Sequence, residues 1–69
     1  MQRAPVQSSN LAEVGYDSQR QTLEVQFRDG AVYQYFDVPQ QVYEGLMSAS
    51  SLGTFFHQNI MKVYRYSKQ

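Results

Sequence analysis

The chain has no cysteine. Disulfide staples are therefore excluded, and so are thiolate nucleophiles and cysteine-based zinc sites. No stretch approaches the ~18 apolar residues that argue for a membrane span. The opening Met1-Gln2-Arg3-Ala4-Pro5 has no apolar run of the kind a secretory signal carries, so the cytoplasm is the expected compartment. Net charge is also lacking, since six cations balance six acids. A basic footprint over the whole surface is thereby excluded. Histidine is nearly absent, with His57 alone. Zinc asks for three or four N, S or O ligands, so neither a metal site nor a cofactor is expected. No glycine spacing suits a phosphate cradle, and no nucleophile–base pair is legible, so the reading is not of an enzyme.

What the chain does hold is aromatic: six Tyr and four Phe among 69 residues. A chain this short makes one domain and buries only ~60% of its unfolded surface. Large rings supply much area per residue, which a small core without staples needs. The charge is unevenly spread. Residues 1–44 carry Arg3, Arg20 and Arg28 against Glu13, Asp17, Glu24, Asp29, Asp37 and Glu44, a net of −3. Residues 45–69 carry Lys62, Arg65 and Lys68 and no acid, a net of +3.

The opening nine residues, with Pro5, Ser8 and Ser9 and no strong apolar pattern, predict a flexible lead-in over 1–7 to a single domain over 8–66, with 67–69 as a tail. Ala12, Val14 and Tyr16 recur with a period of two, a first strand. Asp17 to Gln21 is a polar turn. Thr22-Leu23-Glu24-Val25-Gln26-Phe27 alternates without a fault, a second strand with one face buried. Ala31 to Val38 is β-branched and aromatic, a third. The turn between the last two decides which face of the third strand goes inside, because a slip of one residue inverts every side chain. A two-residue turn on Asp29-Gly30 would place Gln34 among Leu23, Val25 and Phe27. A three-residue loop, Arg28-Asp29-Gly30, puts Tyr33 opposite Val25, Tyr35 opposite Leu23 and Gln34 opposite Glu24. Burying an unpaired amide costs on the order of 1–3 kcal/mol, which favours the longer loop.

Pro39 suits the start of a helix. Beyond it Val42, Tyr43, Leu46, Met47 and Ala49 share one arc of a helical projection. Ser50 or Ser51 can cap a second helix whose face carries Leu52, Phe55, Phe56, Ile60 and Val63, with Thr54, His57, Gln58 and Met61 outside it. Lys62 to Tyr66 either extends that helix or forms an edge strand. The expected fold is α+β, a three-stranded antiparallel meander followed by two helices on one face, with room for a short final strand.

Several stretches resemble the KTSC domain family, which takes its name from an occurrence at the C-terminus of some lysyl-tRNA synthetases. They are Ser8-Ser9-Asn10-Leu11, Val14-Gly15-Tyr16-Asp17, Thr22 to Phe27, Gly30 to Phe36, Val38-Pro39, Val42-Tyr43, Ser51 to Phe56, Ile60 and Tyr64-Arg65-Tyr66. The likeness covers about residues 7–66. It implies a small domain found alone or appended to larger proteins, without catalytic residues to carry over and with RNA binding as the expected role. Members are more basic near the second helix than this chain, where Met61 precedes a single Lys62.

The candidate nucleic-acid site follows from two clusters. Tyr33 and Tyr35 lie on one face of a strand, where aligned rings either stack unpaired bases or face Leu23 and Val25 as core. Lys62, Tyr64, Arg65, Tyr66 and Lys68 interleave cations with rings, as a segment following a phosphate backbone would, or as a solvated tail whose tyrosines fold back on the sheet. The other reading is a protein-contact module or small homo-oligomer, using the apolar face near Val32 and Phe36. Ser8-Ser9-Asn10 fits the role of satisfying backbone groups at the entry to the first strand.

Overall fold

The computed structural model describes residues 1–69. Five strands and two helical segments follow in the order β1 (Ala4–Pro5), β2 (Leu11–Asp17), β3 (Thr22–Phe27), β4 (Val32–Tyr35), α1 (Gln40–Ser48), α2 (Leu52–Phe56) and β5 (Tyr66–Lys68). A π-helical turn, His57–Met61, continues α2 without a break. The strands lie in sequence order and every neighbouring pair is antiparallel. The expected α+β meander is present, with β5 as its C-terminal strand.

The register of β3 and β4 is the one that the longer loop predicts. Val25 faces Tyr33, Leu23 faces Tyr35 and Glu24 faces Gln34. Gln34 donates its side-chain amide to Glu24 at 2.8 Å, so the polar pair is satisfied on the outer face. The loop closes with Phe27 N–H on the Ala31 carbonyl, and Gly30 sits at φ +96°, where a side chain would be strained.

Two terminal segments are more ordered than the sequence suggests. The lead-in pairs with β2, Ala4 against Val14 and Pro5 against Glu13. Arg3 holds it there, donating to Glu13 at 3.0 Å and to Glu24 at 2.6 Å. Gly15 leaves the room: a Cβ would stand 2.5 Å from the Gln2 carbonyl oxygen and 3.0 Å from Arg3 Cγ. The residues expected as a tail pair with β4, Tyr33 against Lys68 and Gln34 against Ser67.

The core lies between one face of the sheet and the helices. Leu11, Leu23, Val25, Val38, Leu46 and Ile60 are fully buried, each contributing roughly 1.5–3 kcal/mol of transfer free energy. Leu11, rather than Ala12, reaches this core because a bulge between Leu11 and Glu13 adds a residue to β2. Ser51 caps α2, accepting from Thr54 N–H at 3.3 Å. Val63, placed on the buried face by a uniform helical projection, is exposed, whereas Met61 packs against the core. The π turn explains this: its wider winding moves later side chains round the axis, and the helix stops before Val63.

Candidate functional site

β4 and β5 build an aromatic surface at one edge of the sheet. Residues two apart on a strand share a face, so Tyr33 and Tyr35 point to the helix side together. Pairing of β5 brings Tyr66 onto the same side, its ring centroid 5.8 Å from Tyr33 and 5.6 Å from Tyr35. Tyr35 is wedged edge-on against Phe56 and is only 3% exposed. Burial, with smaller contributions from Tyr33 and Tyr66, pushes its phenol up to about 12. Tyr66 is 59% exposed. Between these rings opens a cleft of about 340 Å³, bounded by Phe27, Tyr33, Tyr35, Met61 and Tyr66, with Asp29 and Lys68 as its charged members. Neither charge is in an ion pair within the chain.

The seven candidates drawn from the sequence do not converge on one site. Tyr33, Tyr35, Tyr66 and Lys68 meet at the cleft. Arg65 alternates to the outer side, where it pairs with Asp37 at 3.0 Å and its guanidinium lies 5.5 Å from the Phe36 ring. Tyr64 folds back on the core, its N–H bonded to the Ile60 carbonyl. Lys62 is exposed just past the helix end. Phe27, Asp29 and Met61 were missed as lining residues. Asp29 signalled only a turn, and its Oδ1 does accept from Ala31 N–H at 3.0 Å. The outer-face residues Val32 and Phe36 are half-buried, and Arg65 partly covers Phe36.

A second recess of about 420 Å³ is polar, with Ser8, Asn10, Ser51, Gly53, Thr54 and His57 on its walls. Ser8 Oγ accepts from the N–H groups of Asn10 and Leu11, the backbone role its position suggested. A Cβ on Gly53 would meet Ser8 Oγ at 3.4 Å, an ordinary van der Waals contact. No helix of the protein is long and apolar enough to cross a membrane.

These features define a small α+β domain: an antiparallel five-stranded sheet, helices on one face, and an aromatic cleft at one edge. The chain belongs to the KTSC domain family, whose pattern matches residues 7–66. It is 46% identical over 67 residues to an uncharacterized protein of Stutzerimonas stutzeri, covering 96% of this chain and 94% of that one. It is 40% identical over 62 residues to a lysine–tRNA ligase of Trichormus variabilis, covering 90% of this chain but only 11% of the ligase. A crystal structure of a KTSC domain protein from Yersinia pestis superposes with a TM-score of 0.94 at 42% identity, over 99% of this chain and 96% of that one.

Proposed function

We propose that this domain is a non-catalytic accessory module that holds single-stranded RNA. The observation that supports it is the half-open ring cluster at the β4–β5 edge. Tyr66 stands largely in solvent beside Tyr33, with the unpaired Lys68 next to it. An exposed ring over an apolar cleft can stack an unpaired base, and an adjacent ammonium can hold the phosphate that follows. The occurrence of a similar segment in a tRNA ligase fits such a role. Tyr35 serves as the support under Tyr33 and Tyr66, since its burial leaves it no face for a base.

Fluorescence anisotropy with a labelled single-stranded RNA tests this. Tyr66→Ala is expected to weaken binding by roughly ten-fold, within the ~1–3 kcal/mol that one stacked base contributes. Equal binding by the two proteins, or none by either, would remove the reading.

A protein contact is the second reading, and the open edge of β5 favours it. Phe36 N–H bonds to the Arg65 carbonyl and Gln69 N–H to the Val32 carbonyl, so alternation leaves the main-chain groups of Tyr66 and Lys68 facing away from β4. Self-association through that edge would appear as a concentration-dependent mass in sedimentation. A constant monomer mass counts against it.

A further inference from the structure

The cleft at the β4–β5 edge contains a carboxylate, which a site for a polyanion has no use for along the phosphate path. Asp29 lines the same 340 Å³ space as Tyr33, Tyr66 and Lys68. Its Oδ1 is engaged by Ala31 N–H, which fixes the carboxylate at the turn, while Oδ2 has no partner within the chain. An ionised carboxylate only accepts hydrogen bonds. It repels phosphate and attracts N–H donors. Lys68 has the opposite preference. A nucleotide bound between the two charges would therefore set its base edge toward Asp29, its phosphate toward Lys68 and its ring over Tyr66.

Resting on the RNA reading above, we infer that the cleft selects guanine. Guanine presents two neighbouring donors on its pairing edge, N1–H and N2–H, a match for a carboxylate whose Oδ2 is free and whose Oδ1 keeps a second lone pair beside the Ala31 bond. Uracil presents a single N–H between two carbonyls, which face the carboxylate unfavourably. Adenine and cytosine each offer only an amino donor beside an acceptor nitrogen. The order expected is guanine first and uracil last, with the other two between.

The test is calorimetric titration with the pentamers UUGUU, UUAUU, UUCUU and UUUUU. Wild type is expected to bind UUGUU at least five-fold more tightly than UUUUU, the lower end of what a good bidentate base contact discriminates. Asp29→Asn keeps the acceptor for Ala31 N–H and the side-chain size, so the turn survives. It is expected to bring the UUGUU to UUUUU ratio near one, because the amide lacks the carboxylate's preference for paired N–H donors over carbonyls. A wild-type ratio near one, or an unchanged ratio in Asp29→Asn, overturns the guanine assignment. If both pentamers bind equally and Tyr66→Ala loses both, the RNA reading stands and the base preference falls. If no pentamer binds, both fall together.

Discussion

Tyr35 and Tyr66 face each other across β4 and β5, yet their surroundings give them different work. Tyr35 is a core residue with a phenol. Truncating it to alanine removes a ring held against Phe56 and should cost about 3–5 kcal/mol, a large share of the ~5–15 kcal/mol that holds a single domain. Tyr66→Ala removes a mostly solvated ring and should leave the denaturation midpoint nearly unchanged. Chemical denaturation of the two variants side by side reads this contrast. Tyr35 also sets an alkaline limit. Its phenol is raised from 10 to about 12 by burial, so the folded state holds the proton longer than the unfolded chain does. Its contribution is intact below pH 10 and is lost as pH rises from 10 through 12. Tyr35→Phe should flatten that part of a stability–pH curve. An unchanged slope would place the alkaline loss elsewhere.

The inward turn of Tyr33 and Tyr35 was legible because Gln34 lies between them. One amide that cannot be buried alone fixes the register of a whole strand, and Glu24 supplies its partner. Local alternation likewise carried β3. The exposure of Tyr66 was not legible, because it depends on where α2 ends. Nor was the place of Asp29 in the cleft, which requires β5 to have returned alongside the hairpin.

At the scale of elements, the missed features share one cause: each depends on partners far along the chain. β1 is two residues long and contains a proline, so nothing local announces it. It forms because Arg3 meets carboxylates 10 and 21 residues away. Arg3→Ala should strip amide protection from Val6, whose N–H bonds to the Ala12 carbonyl, while the centre of β3 keeps its protection. Hydrogen exchange followed residue by residue measures this. Protection retained at Val6 would mean that backbone pairing alone fastens the strand. Gly45 teaches the same lesson. By propensity, alanine would strengthen α1 by about 1 kcal/mol. The fold places the Phe55 ring where that Cβ would go, with Cζ 2.8 Å away. Gly45→Ala is therefore expected to lower the melting temperature, because a displaced ring between α1 and α2 outweighs the local gain. A higher melting temperature would show that Phe55 yields easily.

For the molecule as a whole, the −3 and +3 halves of the sequence do not become two opposed patches. Arg3 settles against Glu13 and Glu24 within the acidic half, and Arg65 of the basic half reaches across to Asp37. Lys62 and Lys68 remain as the unpaired cations of the C-terminal part, and only Lys68 lines the cleft. RNA binding through this site should thus depend on salt only mildly. One or two phosphate contacts give a slope of log affinity against log salt near −0.7 to −1.4 for a single strand. A much steeper slope would require a cationic surface that the fold does not assemble.

Binding of RNA at the β4–β5 edge underlies both the stacking role of Tyr66 and the base preference of Asp29. The direct measurement is a ¹⁵N NMR titration of the labelled domain with a short mixed-sequence RNA. Shift changes are expected to be confined to Asp29, Tyr33, Tyr66, Lys68 and their sheet neighbours. Changes centred on the outer face around Phe36 and Arg65, or on the polar recess of Ser8 and His57, would contradict it.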